Sequence, residues 1–574
     1  MPIHNNDVAG ALEQIADLLE INDENAFRIR AYRNAARTVG NLSENVADMV
    51  ESGRNLTELS GVGKDLAGKI ETIVKTGSLP LLEDPQKQMP ADLVTIMKIP
   101  GLGGKRVHAI HKQLGIDTLD ELEQAAREGK LRALGGLGEK TEHSILEGIS
   151  QVRKGQERRR WAEAEETVAT LLDYLRKSSK VKQVLPAGSF RRRRETIGDV
   201  DVLATCGQGS NIMDRFVKYD EVQKVVSQGD TRSTVVLRSG LQVDLRVVPQ
   251  VSYGAALHYF TGSQAHNIAV RKLGVQKKLK INEYGIFKGD KRVGGRKEEE
   301  VFDAVDLPYI EPELREDRGE IQAARKGKLP KLVTVDDIRG DLHTHTNNTD
   351  GKATLQEMVD AARKRGYRYL AITDHSQRLT VARGLDKKRL KKLIDEIDTL
   401  NGTLSDFRVL KGIELDILDN GKLDLPDDIL KELDLTVCSV HSKFKLSRRE
   451  QTERIVRAMD NRYFTILGHP TGRMINERPP YDIDMEQIIR AAHDRGCFLE
   501  VNGQPERLDL SDTYCKAAKE AGVKLSVATD AHSTSSLDFI RHAVGQARRG
   551  WVEADDVINT RNLRGLLKLI SQRR

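Results

Sequence analysis

From residue 338 onward, short apolar runs alternate with helical stretches, and nearly every run ends in His, Glu or Asp. The runs are "IRGDLHTH", "RYLAITDH", "RVLKGIELDI", "LTVCSVHS", "FTILGHP", "CFLEVNG" and "KLSVATDAH". Repeated strand-then-helix order implies a parallel sheet or a barrel. In barrels, chemistry gathers at the C-terminal ends of the strands, which is where these side chains fall. The pattern therefore limits both the fold and the place of a site.

The first half has another texture. "VAGALEQIADLLEI" places apolar residues at helical spacing. Three segments then resemble one another: "LSGVGKDLAGKI" at 59, "IPGLGGKRVHAI" at 99 and "LGGLGEKTEHSI" at 134. Each joins a Gly-x-Gly turn to an apolar-periodic helix. Such a turn lets the backbone approach a partner closely, and the helix start offers free N–H groups to phosphate. Helix-turn-helix packing is the plainer alternative; three copies favour nucleic-acid backbone binding through Gly61, Gly63, Lys64, Gly101, Gly103, Lys105, Gly136 and Gly138. A basic segment, "VRKGQERRR", leads into a long helix. Past residue 180 come short strands whose alternation predicts a mixed sheet with one polar face. Residues 289–335 are rich in charge, Gly and Pro, as at a domain end followed by a linker.

Within that sheet, "GSFRRRRETIGDVDVL" sets four arginines just before two aspartates. Val200 and Val202 would face one side of the strand, and Asp199 and Asp201 the other. Adjacent carboxylates repel unless a hard cation lies between them. Asp244 in "LQVDLRVV" repeats the pattern on what could be a neighbouring strand. Three converging carboxylates can hold two Mg²⁺ ions for phosphoryl transfer. Solvated aspartates on an edge strand are the alternative for an isolated pair. The Gly188–Ser189 turn and the guanidinium groups suit triphosphate oxygens and favour the metal reading.

In the C-terminal half, His343 and His345 lie two apart at a strand end. Asp350, His375, Glu414, His441, His469, Asp530 and His532 follow. Imidazole and carboxylate together bind Zn, Mn or Fe. Nine such ligands can hold up to three ions, with a carboxylate such as Glu414 as a bridge. Arg383, Lys443 and Arg473 follow strand ends and would either grip phosphate or be surface charge.

Composition excludes some classes. The four cysteines form no CxxC pair, which argues against a zinc ribbon or a disulfide framework. No apolar stretch is long enough to cross a bilayer and no signal segment stands at the N-terminus, so a cytoplasmic protein without membrane partners is expected. The net charge of +6 says little by itself.

"GSFRRRRETIGDVDVL", "YFTGSQAHN" and "INEYGIF" resemble the nucleotidyltransferase core of family X DNA polymerases, and the resemblance runs from the N-terminus to about residue 318. It implies that Asp199, Asp201 and Asp244 are the catalytic metal ligands. Gly188, Ser189 and Arg192 would contact the triphosphate, with Gly198 in the same loop. Tyr259, Phe260 and Gly262 would line the sugar pocket. Asn267 would touch the incoming base edge and Arg271 the template side. Gln242 departs from the family, whose eukaryotic members carry an arginine there, and Gln264 replaces an acidic residue near the base pocket. The N-terminal region resembles the lyase domain of the same polymerases, with Lys69 at the Schiff-base position. Asp65 sits where a supporting lysine is expected, and a lysine beside an acid is a poorer nucleophile. Binding of a DNA 5′-phosphate by Lys64, Lys69 and Arg28 is therefore favoured over lyase chemistry.

Residues 336–574 resemble the PHP (polymerase and histidinol phosphatase) metallohydrolase domain, and every ligand position of that family is filled. The resemblance implies a multidomain α and α/β chain. Its expected parts are a lyase-like helical domain with helix-hairpin-helix (1–85), a fingers-like helix-hairpin-helix region (86–155) and a nucleotidyltransferase palm (156–250). A thumb-like subdomain that binds the nascent base pair (251–318), a linker (319–335) and a distorted (β/α)₇ barrel (336–574) would follow. It implies gap-filling synthesis in DNA repair with dNTPs and two Mg²⁺ ions. It also implies a 3′–5′ exonuclease holding Mn²⁺ or Zn²⁺, with cleavage at abasic sites as a related activity, and a monomer acting on gapped or primed DNA. A template-independent transferase, a non-catalytic DNA end-binding factor and a barrel acting on pyrophosphate or small phosphate esters are the alternatives.

Overall fold

The structure is a computed structural model of the 574-residue chain. It describes residues 5–572 except 23, 41, 43–45, 77–91, 98, 100, 101, 135, 136, 139, 140, 143, 147 and 150–157. Gly101, Gly136 and most of the basic segment before residue 158 thus lie outside the described residues. The chain divides into two compact units, 1–157 and 158–574.

In the first unit, α1 (Asn5–Ile21), α2 (Ala26–Gly40), α3 (Val46–Glu51) and α4 (Lys64–Thr76) close over Leu12, Ile15, Tyr32, Val39, Met49 and Ile70. A second core, with Leu93, Ile96, Val107, Ile110 and Leu122, lies among α5 (Asp92–Met97), α6 (Gly104–Leu114) and α7 (Leu119–Arg127). α7 begins on a capping box, in which Thr118 accepts from the Glu121 N–H and the Glu121 carboxylate accepts from the Thr118 N–H. Gly61 and Gly63 precede α4, and Gly103 caps α6, as the Gly-x-Gly pattern predicts.

The second unit opens with α8 (Trp161–Arg176), which packs on a five-stranded mixed sheet. Its strands are β1 (Val181–Pro186), β2 (Asp199–Cys206), β3 (Val222–Ser227), β4 (Arg232–Leu237) and β5 (Gln242–Val247), with the short helix α9 (Gly188–Arg191) between β1 and β2. The spatial order is β1-β2-β5-β4-β3, and only β2 and β5 run parallel. α10 (Tyr253–Thr261), α11 (Gln264–Gln276) and a meander of β6 (Lys280–Asn282), β7 (Gly285–Lys288) and β8 (Lys291–Gly294) follow. The stretch 319–335, expected to be a linker, is packed. It holds a helix, Glu320–Arg325, Ile321 and Leu332 join the core of the preceding subdomain, and Val333 is fully buried in the core of the barrel. Its apolar residues outweigh the local charge that suggested a tether.

The remainder is a parallel barrel. Along the chain run β9 (Gly340–Asp341), α12 (Leu355–Lys364), β10 (Tyr369–Ile372), α13 (Lys387–Asn401), β11 (Arg408–Lys411), β12 (Glu414–Asp416), β13 (Val437–Ser439) and α14 (Arg448–Ala458). Then come β14 (Ile466–Leu467), α15 (Met485–Arg495), β15 (Phe498–Asn502), α16 (Asp512–Glu520), β16 (Leu525–Ala528) and α17 (Ile540–Arg549). β11 and β12 are one strand broken at Gly412. A Cβ there would lie 2.9 Å from the Ile372 carbonyl oxygen, so only glycine lets the strands stay this close. Pairing of Thr344 with Ala531 and of His375 with Glu414 joins the two parallel sheets into a ring of seven strands among the described residues. The expected (β/α)₇ barrel is what forms.

Candidate active sites

On the mixed sheet, the register pairs Asp199 with Gln242 and Asp201 with Asp244. Partners across a parallel ladder share a face, and residues two apart on a strand share it too. The three aspartates therefore converge, while Val200 and Val202 face the core. Gly188 takes φ +60°, and a Cβ there would lie 2.7 Å from Asp201 Oδ2, so the turn needs glycine to pass over the acids. Burial, then Asp199 and Asp244, push the Asp201 carboxyl up to about 6, against the pull of Arg246 and Arg232. Burial and Asp244 raise Asp199 as well. Asp244 Oδ1 accepts from Thr234 Oγ1 at 2.5 Å and from Arg232 Nη2 at 3.1 Å, and Oδ2 accepts from Gln242 Nε2 at 3.2 Å. Crowded carboxylate oxygens that repel one another are a donor set suited to hard divalent cations.

The arginine run differs from expectation. Arg191 holds Glu298 at two points, 2.8 Å each. Arg192 is 8% exposed and directs Nε to Glu316 at 3.0 Å and Nη1 to the Thr261 carbonyl at 2.7 Å. Arg193 donates to the Arg541 carbonyl at 3.0 Å. Only Arg194 is exposed. Most of these guanidinium groups therefore tie the loop down, with Nε and Nη1 of Arg192 both committed. Phe260 lies edge-on to Tyr259, with centroids 5.1 Å apart, and under the Arg246 guanidinium. Asn267 was expected to face a base edge. Its Nδ2 donates to the carbonyls of Tyr259 at 2.6 Å and Gly262 at 3.3 Å, and its Oδ1 has no hydrogen-bond partner. Arg271 is exposed, as is Gln264.

In the barrel, all nine expected side chains meet at one end. Glu414 is the hub. Its Oε1 lies 3.0 Å from His469 Nε2 and 3.2 Å from His441 Nε2. Its Oε2 lies 2.8 Å from His375 Nδ1, 3.5 Å from His343 Nε2 and 3.6 Å from His345 Nε2. Asp530 is 3.1 Å from His345 Nε2, and Asp350 is 3.3 Å from His375 and 3.4 Å from His532. Three groups can each enclose an ion: His345, Asp350, His375 and His532; His343, His345 and Asp530; and His375, Glu414 and His441. Nitrogens of His343, His345, His375, His441 and His469 are buried without a hydrogen-bond partner. His375 Nδ1 is near Glu414 yet lacks the angle of a hydrogen bond. Imidazole nitrogens interleaved with carboxylate oxygens at these distances fit Zn, Mn or Fe. His469 and Asp530 both have positive φ, so two candidate ligands sit in strained backbone at strand ends.

Several contributors were not foreseen. Glu500, fully buried, accepts from His343 Nδ1 at 2.6 Å and from the His469 N–H at 2.6 Å. Asp416 lies 3.3 Å from His441 Nδ1. Arg507 stands 3.9 Å from Asp530. Asp416 follows Glu414 at the same-face spacing of a strand, a usable signal; Glu500 inside "CFLEVNG" carries none. Arg473 is neither a phosphate grip nor surface charge, because it is buried against Glu195 and the carbonyls of Arg507 and Leu508. Arg383 is exposed and bonds the Thr349 carbonyl, and Lys443 is exposed.

In the first unit, Lys69 Nζ lies 2.7 Å from Asp65 and 5.0 Å from the Tyr32 ring centre. Burial pulls the ammonium down, but Asp65 and Tyr32 raise it overall, which suits a charged lysine better than a nucleophile. Lys64, Arg28, Lys105 and Gly138 are exposed.

Family models match five stretches of the chain: helix-hairpin-helix domain at 3–79, SAM-like helix-hairpin-helix tandem at 93–151, DNA polymerase beta palm at 158–253, DNA polymerase beta thumb at 256–316 and PHP domain at 341–504. The PHP match ends before Asp530 and His532, which the fold brings back to the site. The DNA polymerase/3′-5′ exonuclease PolX of Bacillus subtilis (strain 168) is 36% identical over 98% of both chains. The barrel alone is similar to probable phosphatases. One from Thermoanaerobacter sp. (strain X514) is 33% identical over 38% of this chain and 89% of its own. Another, from Shewanella sp. (strain ANA-3), is 27% identical over 41% and 91%. No described helix is long and apolar enough to cross a membrane. Matched from end to end by a polymerase–exonuclease and carrying both clusters intact, the chain belongs to the family X DNA polymerases that bear a C-terminal PHP domain.

Proposed function

We propose that this chain fills short gaps in damaged DNA with dNTPs and trims unsuitable 3′ ends in its barrel, cleavage at abasic sites included. The observation that carries the reading is the Asp201–Asp244 register, which gathers three carboxylates on one face beside the Gly188 turn. Asp199, Asp201 and Asp244 would hold two Mg²⁺ ions. Bound there, such ions would supply neutralisation of triphosphate charge and a lowered pKa for a primer hydroxyl. Gly188, Ser189 and Arg192 Nη2 bind the triphosphate. Tyr259, Phe260 and Gly262 shape the sugar pocket, and Asn267 keeps that turn closed. The Gly-x-Gly helix starts of the first unit, with Lys64, Lys69, Lys105 and Arg28, grip DNA phosphates independently of sequence.

In the barrel, the nine clustered ligands would hold up to three Mn²⁺ or Zn²⁺ ions, which polarise a phosphodiester and activate water when bound. Glu414 holds His469 by a hydrogen bond and lies among four further imidazoles, Glu500 fixes His343, and Arg507 offers a cation to a phosphate. A second reading for the barrel, hydrolysis of small phosphate esters, is favoured by its likeness to the probable phosphatases.

The test is incorporation and excision on a one-nucleotide-gapped duplex with a labelled primer. Templated insertion that needs Mg²⁺ and the matching dNTP, together with removal of a 3′ nucleotide, is the expected result. Insertion indifferent to template would point to a terminal transferase, and no product at all to an end-binding factor. Cleavage of small esters without 3′ excision would support the second reading.

A further inference from the structure

The segment 192–195 leads from Gly188 and Ser189 toward Asp199, and side chains of the barrel hold it from one side. Arg549, at the end of α17, donates from Nη1 to the Arg192 carbonyl at 2.8 Å and to Glu316 Oε1 at 3.0 Å. Its Nη2 reaches Asp512 Oδ2 at 2.7 Å. The same Glu316 oxygen accepts from Arg192 Nε. Arg318 reaches the same Asp512 oxygen at 2.7 Å. The result is a buried row of alternating charge, Arg192–Glu316–Arg549–Asp512–Arg318, in which Arg192 is 8% and Arg549 4% exposed. Such rows hold position strongly, because shifting one member leaves its neighbour as an unpaired buried charge.

With Nε and Nη1 of Arg192 committed, the aim of Nη2 follows from where Glu316 and the Arg192 carbonyl sit. Arg549 holds both. We propose that Arg549, a residue of the barrel, is a positioning residue for nucleotide binding at the mixed sheet: through Glu316 and the Arg192 backbone it aims the Arg192 guanidinium at the triphosphate. Arg549 itself touches no nucleotide. The inference rests on the reading of Gly188 to Arg192 as the triphosphate loop. It makes the PHP barrel a part of the polymerising site rather than an appended nuclease. Displacements of about 1 Å in a positioned group are costly to a reaction, so a lysine, with a single compact head in place of the fork, should not substitute.

The experiment uses the full chain in steady-state insertion of one nucleotide into a one-nucleotide gap. In Arg549→Lys the KM for dNTP should rise about tenfold while kcat changes less than about threefold, and 3′ excision should stay within about twofold. Glu165→Gln removes the charge from the contacts of Arg541 and His542 at the other end of α17 and should leave KM unchanged. Should Arg549→Lys fail to fold, Asp512→Asn loosens Arg549 without touching the Arg192–Glu316 pair, and KM should rise about threefold. An unchanged KM in a folded variant, a fall in kcat alone, or an equal rise in Glu165→Gln overturns the positioning role. A wild-type chain that inserts no nucleotide overturns the polymerase reading instead.

Discussion

Glu195 and Arg473 meet in a two-point ion pair, Oε1 to Nη2 at 2.7 Å and Oε2 to Nη1 at 3.1 Å. Glu195 stands four residues before Asp199, and Arg473 four after His469. One contact thus joins the loops that carry the two clusters. Gln546 adds a third donor to Glu195 at 2.7 Å. The two clusters therefore share one packed unit, in which the sheet and the barrel are held together by ion pairs.

Glu195→Ala leaves Arg473 as a buried cation without its partner, which costs on the order of 3 kcal/mol. Thermal unfolding of this second unit should shift down by several degrees. The double variant Glu195→Ala/Arg473→Met should be less destabilised than the sum of the two single changes. Strict additivity in that cycle would show that the pair carries no coupling.

The two clusters draw on different side chains, so their activities should separate. Asp199→Ala should lower gap filling by roughly 10²–10³-fold or more while 3′ excision persists; His343→Ala should do the reverse. Loss of both activities in either variant, with folding intact by circular dichroism, would show that the two clusters work as one site.

What could be read before the fold was known follows from how local each signal is. Strand-end histidines announce themselves, because His343, His345, His375, His441, His469 and His532 each close an apolar run. The aspartates of β2 show their face by alternation with Val200 and Val202. Partnerships across long separations were not legible. Nothing in "GSFRRRRE" says that Arg191 belongs to Glu298, Arg192 to Glu316 and the Arg192 carbonyl to Arg549, since tertiary packing alone makes those neighbours. For the same reason Arg473 looked like a phosphate grip or surface charge and residues 319–335 like a tether, and Glu500 looked like any acid on a strand.

Glu500 should control metal retention without being one of the nine clustered ligands. Its bond to His343 Nδ1 fixes the ring and leaves Nε2 facing Glu414 and Asp530. Outer-shell carboxylates of this kind typically change affinity by about 10–100-fold. Glu500→Gln should therefore lose Mn²⁺ or Zn²⁺ at lower chelator concentration than wild type, as elemental analysis after dialysis would reveal. Equal retention would limit Glu500 to packing.

Acid should dissolve the interface between sheet and barrel. Burial alone would push Glu316 up, but Arg549, Arg192, Arg194 and Arg318 bring it down to about 2, below the ordinary glutamate value near 4.3. A carboxylate depressed on folding stabilises fully above its unfolded pKa, and that stability is lost as pH falls toward the folded one. The contribution, on the order of 3 kcal/mol for a shift of this size, is thus intact at pH 7 and erodes from about pH 5 downward. Glu298, brought down to about 2 against its burial by Arg315 and Arg191, behaves alike. Glu316→Gln mimics the protonated state at every pH. The gap in melting temperature between wild type and Glu316→Gln should therefore be wide and constant from pH 7 to about 5.5 and narrow steadily toward pH 3. A gap that stays constant across that range would mean that Glu316 is not held ionised by its arginines, and the charged row through Arg549 would lose its physical basis.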